Sequence, residues 1–182
     1  MKLIYTSIND LIIVEPNVYG DNRGWFSEAY NEVEFQKNNI NIKFIQDNHS
    51  YSSQKGVLRG LHLQKEPYAQ TKLVRCTRGR IWDVAVDLRK SSSTYLKWFG
   101  VELTAENHKM LLVPQGFAHG FVTLEADCEV QYKVDNVYNK DSDRSIKYND
   151  LDINVEWPIT NVIISDKDKN APTLIESDVD FK

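Results

Sequence analysis

The chain has 182 residues, 41% hydrophobic and 26% charged, with 8 Gly, 5 Pro and no low-complexity stretch, repeat or linker, which fits a single domain spanning residues 1–182. Lys and Arg number 22 against 26 Asp and Glu, a net charge of −4, which excludes a nucleic-acid surface built on a general positive field. A local basic pocket for an anionic small ligand stays open. No apolar run approaches the roughly 20 residues of a membrane helix. The opening MKLIYTSIND lacks the basic flank, apolar stretch and cleavage site of a secretory signal. Cys76 and Cys128 lie far apart in apolar-rich segments and fit reduced, buried thiols. These features together predict a cytoplasmic protein with no membrane or nucleic-acid partner.

In chain order, Leu3 to Glu15 is the first expected strand, and Arg23-Gly24 read by itself is a polar loop before a strand. Asn31 can cap a short helix with Glu34 three residues on, Val33 and Phe35 being expected inward. Short segments rich in Val, Ile, Leu, Tyr and Trp then predict strands at Ile42 to Ser50, Val57 to Gln64, Gln70 to Cys76 and Arg80 to Asp87. Thr77 to Arg80 is a glycine-containing turn between the last two. Alternation after it sets Trp82, Val84, Val86 and Leu88 on one face and Ile81, Asp83, Ala85 and Asp87 on the other. Further strands are expected at Leu96 to Leu103, Lys109 to Val113, Gly120 to Leu124 and Cys128 to Val134. After Pro158 the chain turns polar and reads as an excursion packed on the β core. So many short strands must pair off their edges, and an all-β jelly roll or barrel with peripheral helices does so while leaving an interior for a ligand.

Within Gly56 to Gln64, period-two alternation places Leu58, Gly60, His62 and Gln64 on one face. Pro114 to Phe121 sets a second histidine, His119, just after a tight turn. The two regions resemble the halves of a cupin, the double-stranded β-helix barrel in which His-x-His, a Glu and a later His hold a metal. Here Gln64 stands at the second ligand position, and two imidazoles without a carboxylate make a poor closed site, so no metal is expected. His62 on a barrel wall could instead take a proton from a carbon acid if a carboxylate such as Asp166, Asp168 or Asp83 fixed its tautomer. It could equally fill a hydrogen-bonded core position. His49 and His108 fit structural or exposed positions.

Lys72 shares the alternation face of Val74 and Cys76, which sets an ammonium against an apolar wall. There it is either a snorkelling edge-strand lysine or a fixed charge that stabilises an enolate oxyanion. The phenol of Tyr132 could return a proton, although a core tyrosine also fits.

Together these residues identify a family. The chain resembles the dTDP-4-dehydrorhamnose 3,5-epimerases over nearly its whole length, through Asp21 to Glu28, Gln46 to Ser50, Gly56 to Gln64, Lys72 to Arg75, Asp83 to Arg89, Pro114 to Phe121, Tyr132 to Tyr138 and Ser165 to Asp168. Two glycines expected in that pattern are replaced by Leu96 and Ser145, which bears on loop geometry. The resemblance implies a cupin-type jelly roll. It also implies cofactor-independent inversion of carbons 3 and 5 of dTDP-4-dehydro-6-deoxy-D-glucose, although mono-epimerases share the same machinery. By the same resemblance His62 is the base, oriented by Asp168; Tyr132 is the acid on the opposite face; and Lys72 holds the oxyanion. It implies that Arg59, His119 and Lys167 bind the sugar diphosphate, with Gln46, Asp47 and Asn48 nearby and Asp143 at the rim. Tyr138 would stack on the thymine, and Arg23, Phe26 and Glu28 would form an arm reaching into a partner's site in a homodimer. A metal-dependent cupin oxygenase and a non-catalytic nucleotide-sugar binding module are the rival classes.

Overall fold

The computed structural model describes residues 1–182. The apolar N-terminus, expected as one strand, is a hairpin in which β1 (Lys2–Tyr5) pairs antiparallel with β2 (Ile12–Glu15), Leu3 facing Val14. Thr6 breaks the run, its hydroxyl donating to the Ile8 and Leu11 carbonyls. A second hairpin pairs β3 (Val18–Asp21) with β4 (Gly24–Ser27), and the polar loop expected before a strand is its turn, with Arg23 in the turn and Gly24 opening β4. Its turn is closed by Asp21, whose carboxylate accepts from the Arg23 backbone N–H at 2.8 Å and its guanidinium at 2.6 Å.

Asn31 caps α1 (Glu32–Lys37) as expected, accepting from the Val33 and Glu34 N–H groups. Phe35 is buried, but Val33 is 58% exposed, contrary to expectation. Positions two apart on an α-helix point about 200° from one another, so a single-turn contact buries only one of them.

The remaining strands are β5 (Gln46–Ser52), β6 (Leu58–Gln64), β7 (Lys72–Arg78), β8 (Arg80–Asp87), β9 (Trp98–Thr104), β10 (Met110–Val113), β11 (Phe117–Thr123), β12 (Cys128–Val134) and β13 (Asp143–Ser145), followed by the short α2 (Asp166–Lys169). Expected and observed strands agree to within a few residues, the largest differences being β5, which starts four residues after Ile42, and β11, which starts three before Gly120; β13 had no expected counterpart. One sheet has the order β1-β2-β10-β7-β12-β5 and the other β13-β6-β11-β8-β9. They face each other across a core that includes Val74, Leu111 and Val130 from the first and Ile81, Ala85, Phe117 and Phe121 from the second. This is the all-β jelly roll of the cupins.

The alternation expected in β8 holds. Ile81 and Ala85 enter the space between the sheets, while Val84, Val86 and Leu88 pack outward against Leu61, Leu63, Ile153 and Phe181. The polar C-terminal excursion thereby covers the outer face of the five-stranded sheet. On the other side, Phe35 and Ile40 cover Val14, Leu73 and Leu112 of the six-stranded sheet. Cys76 and Cys128 are free and buried, and burial pushes the Cys76 thiol up to about 12. No helix is long and apolar enough to cross a membrane.

Two glycines let β6 and β11 meet closely enough to carry the site. Gly60 has φ +131°, and a Cβ there would stand 2.6 Å from the Gly120 Cα, beside a register shift between His119 and Phe121. Leu96 occupies the left-handed region at φ 61°, so the position expected to be glycine has a glycine-like backbone. Ser145 sits in β13 with its hydroxyl buried and unpaired.

Candidate active site

His62 projects from β6 toward the interior, and its Nε2 lies 2.6 Å from Asp168 Oδ1. Asp168 reaches it from α2, whose N-cap Ser165 accepts from the Asp168 backbone N–H at 3.1 Å. The two residues are 106 positions apart in the chain, and the excursion packed on the barrel brings them together. Burial pushes the Asp168 carboxyl up, but the His62 hydrogen bond and charge, with the Gly60 N–H and Ser165, outweigh it and hold the group below the usual carboxylate range. Asp168 is therefore an anion, 3% exposed, that fixes the imidazole of a histidine lining the cavity.

His119 lies directly opposite His62 in the β6–β11 register. Its Nε2 sits between Asp83 Oδ1 at 2.9 Å and Oδ2 at 3.1 Å, and Asp83 is completely buried. Of the three carboxylates that could serve His62, Asp83 is thus committed to the second histidine and Asp166 lies exposed on α2. Each histidine has its own carboxylate, and nowhere does the chain gather three or more His, Cys, Asp or Glu into a group able to hold a metal ion.

The opposite wall comes from the other sheet. Tyr132 on β12 pairs across the sheet with Val74, a core residue, so its ring faces inward, and Lys72 on β7 shares that face two residues before Val74. Burial brings the Lys72 ammonium down to about 8, opposed by the Asp83 and Asp143 carboxylates and reinforced by Lys167. Its Nζ lies 3.5 Å from the His62 carbonyl oxygen. Burial raises the Tyr132 phenol, with the Arg59 guanidinium opposing and Asp143 adding, so the phenol keeps its proton at neutral pH.

These four residues line one cavity of about 610 Å³. Arg59 and His119 share it, the Arg59 guanidinium being held by Ser52 Oγ at 3.3 Å and the Tyr51 carbonyl at 3.0 Å. Toward the mouth, Lys167 Nζ meets Asp143 Oδ2 at 2.5 Å, and Tyr138 stands 60% exposed. The cavity accordingly offers a carboxylate-backed imidazole, a protonated phenol and a buried ammonium around one space, with cations at its entrance.

Other residues singled out by resemblance lie outside its lining. Glu28 and Asp47 are on the wall of a second cavity of about 590 Å³, which Tyr30, Leu73 and Lys133 place on the outer side of the six-stranded sheet, and there Asp47 pairs with Lys133 at 2.9 Å. Gln46 and Asn48 alternate to the opposite face, directly across the ladder from Val134 and Tyr132, and so point inward, with Gln46 Nε2 donating to Asn48 Oδ1. Arg23 and Phe26 sit on the β3–β4 hairpin, largely exposed, and line neither cavity. Sequence reasoning left Asp83 without its partner, and a strand pattern carries no signal for it beyond its inward face.

A family model described as dTDP-4-dehydrorhamnose 3,5-epimerase matches residues 5–176. The chain is 51% identical over 179 residues to a protein of that name from Shigella flexneri, covering 98% of each. The crystal structure of the dTDP-4-dehydrorhamnose 3,5-epimerase of Elizabethkingia anophelis superposes with a TM-score of 0.93 at 51% identity, covering 98% of this chain and 99% of that one. The dTDP-6-deoxy-D-glucose-3,5-epimerase of Legionella pneumophila, solved in complex with dTDP-4-keto-L-rhamnose, also gives 0.93, at 42% identity over 97% of this chain and 94% of its own. Fold, site and sequence agree, and the chain belongs to the dTDP-4-dehydrorhamnose 3,5-epimerase family.

Proposed function

We propose that the protein is an isomerase that inverts carbons 3 and 5 of dTDP-4-dehydro-6-deoxy-D-glucose to give dTDP-4-dehydro-L-rhamnose, by proton abstraction and return without a redox cofactor. The observation that carries this reading is that His62 and Tyr132 enter one cavity from opposing sheets. Inversion needs a base on one face of the sugar and an acid on the other, because return of the proton from the base's side restores the original centre.

The 4-keto group acidifies the hydrogens on carbons 3 and 5. His62 removes one, and the imidazolium so formed is stabilised by the Asp168 carboxylate at 2.6 Å. Negative charge develops on the ketone oxygen, where the Lys72 ammonium meets it in a dry wall and needs no reorganisation. Tyr132 then delivers a proton to the opposite face, and the cycle repeats at the second carbon. Arg59, His119 and Lys167 bind the sugar diphosphate, with Asp143 at the rim, and the Lys167–Asp143 pair yields its ammonium to the incoming phosphate. Tyr138 stacks on the base.

The β3–β4 hairpin serves a second copy of the chain. Trp25 and Phe26 on it are 62% and 65% exposed, more apolar surface than an isolated hairpin leaves in water. In a homodimer Arg23, Phe26 and Glu28 reach the partner's cavity, with Gln46, Asp47 and Asn48 beside them. Mixing two inactive proteins tests this directly: His62→Ala keeps its arm and Arg23→Ala keeps its base, so mixed dimers regain one complete site. Failure of the mixture to recover activity contradicts the exchange of arms.

Incubation with the keto sugar in deuterium oxide, followed by NMR, tests the reaction. The proposal requires deuterium at both carbons 3 and 5 of the product. Label at one carbon only assigns a mono-epimerase, and no label in either sugar assigns a binding module.

A further inference from the structure

We propose that Gln64 is a positioning residue for the nucleobase end of the substrate, acting through Tyr138; the proposal rests on the reading of Tyr138 as the ring that stacks on the base. Gln64 shares the His62 face of β6 but is 5% exposed, and its carboxamide is fully occupied by backbone. Its Nε2 donates to the Tyr68 carbonyl at 2.7 Å and to the Val137 carbonyl at 3.0 Å, while its Oε1 accepts from the Asn139 N–H at 2.7 Å. One side chain therefore grips the residues on both sides of Tyr138 and ties them to the turn after β6.

No hydrogen bond reaches Tyr138 itself, and with Val137 48% and Tyr138 60% exposed, burial of apolar surface does not anchor the ring. The other hydrogen bonds hold the ends of the segment: Gln70 Nε2 donates to the Asn136 carbonyl at 2.8 Å and Asn136 Nδ2 to the Pro67 carbonyl at 3.1 Å, while the Ser142 and Asp143 N–H groups donate to the Asn139 carbonyl. Only the Gln64 carboxamide joins the two neighbours of Tyr138 to one another and to the strand that carries His62. Without the Gln64 carboxamide, the Tyr68 and Val137 carbonyls and the Asn139 N–H lose their partner, and the segment has to find another arrangement with water. The position at which other cupins place a metal ligand here links the catalytic strand to the nucleotide-recognition loop.

The test measures affinity for dTDP and, separately, for inorganic diphosphate in Gln64→Leu, Tyr138→Ala and the double variant, with the melting temperature of each. Base stacking on an aromatic ring is worth about 1–3 kcal/mol, so a ring no longer held in place weakens dTDP binding about tenfold. Diphosphate affinity stays unchanged, and in the Tyr138→Ala background Gln64→Leu adds nothing. Turnover of the keto sugar shows a raised KM with kcat within about twofold, a split that a general loss of structure does not produce. Losses that add in the double variant, or an equal loss for diphosphate, overturn the proposal. A silent Gln64→Leu beside a weakened Tyr138→Ala refutes the role of Gln64 alone, whereas a silent Tyr138→Ala removes the stacking reading and this inference with it. Should Gln64→Leu not fold, Gln64→Glu keeps the acceptor for Asn139, lacks the two amide donors and carries the same comparison.

Discussion

Replacing Lys72 with methionine keeps most of the side chain's length and apolar stem and removes one ammonium from the wall of the cavity. Burial lowers that group from 10.5 to about 8, so the charged form costs the fold about 3 kcal/mol at pH 7. Methionine escapes that cost. That figure is already net of the attraction of Asp83 and Asp143, which the neutral side chain also forgoes. The expected net is a stabilisation of about 3 kcal/mol, or roughly 6–12 °C in Tm for a chain of this length. The same change removes the charge that meets the oxyanion, so kcat falls by about 10²–10³. One substitution should thus make the protein more stable and nearly inactive.

The pH dependence separates this account from ordinary repacking. In the wild type Lys72 has a folded-state pKa below its unfolded value, so between about pH 8 and 10.5 the unfolded chain binds more protons than the folded one. Wild-type stability therefore rises relative to the variant by about 1.4 kcal/mol per pH unit across that window. Below pH 8 the variant's advantage is full and constant; by pH 10.5 it has gone. Urea denaturation of both proteins at pH 7, 8, 9 and 10 measures the gap. A gap independent of pH, or a methionine variant less stable at pH 7, would refute the reasoning. The wild-type kcat/KM should fall above about pH 8 for the same reason, and Lys72→Arg should remove that alkaline limb from whatever activity it retains.

Other outcomes follow from the geometry. His62→Ala should abolish solvent-deuterium exchange into the keto sugar with the fold retained, and Asp168→Asn should reduce it by about 10³–10⁴, because an amide neither fixes the same tautomer nor stabilises the imidazolium; retained exchange in His62→Ala removes it as the base. Tyr132→Phe should slow formation of the inverted product far more than proton removal, so NMR should see label entering substrate that keeps its original configuration; equal losses contradict its place on the opposite face. Gly60→Ala should destabilise by about 1–3 kcal/mol in urea, since its Cβ meets the Gly120 Cα at 2.6 Å on a backbone with φ +131°; wild-type stability there means that β6 and β11 have room to spare.

Strand faces were legible because a period of two needs no knowledge of neighbours. Alternation alone set His62 toward the interior, Lys72 beside Val74, and Ile81 opposite Val84, and the structure keeps each assignment. Pairing was not legible in the same way. From the residues alone Asp166, Asp168 and Asp83 were equal candidates for His62; only the resemblance named Asp168, which a chain excursion more than a hundred residues away sets 2.6 Å from the ring. The β3–β4 hairpin was hidden for another reason: all four residues of β3 are exposed, so no buried face imprints alternation on the sequence. In α1 the cap was legible from Asn31, since capping is local, but the inward side was not, since a helix this short is oriented by what it covers.

The same inward-facing rule explains why a jelly roll suits inversion chemistry. Two sheets packed face to face present their side chains to one another, so a group on each meets any ligand between them from opposite directions without a special loop. His62 and Tyr132 need only be inward positions of β6 and β12. The two remaining demands, orienting the base and charging the wall, fall on different parts of the chain. Orientation comes from α2, outside the barrel, whose Asp168 is an anion because His62 is there to pair with it. Charge comes from Lys72 inside the barrel, where burial lowers its proton affinity and Asp83 and Asp143 limit the fall. Stabilising the ammonium further would stiffen the fold but weaken its response to an enolate oxyanion, because a cation already neutralised by close carboxylates gains less from new negative charge. A site left slightly unfavourable for its lysine is therefore what an enolising cavity requires, and the instability predicted at Lys72 belongs to its catalytic role.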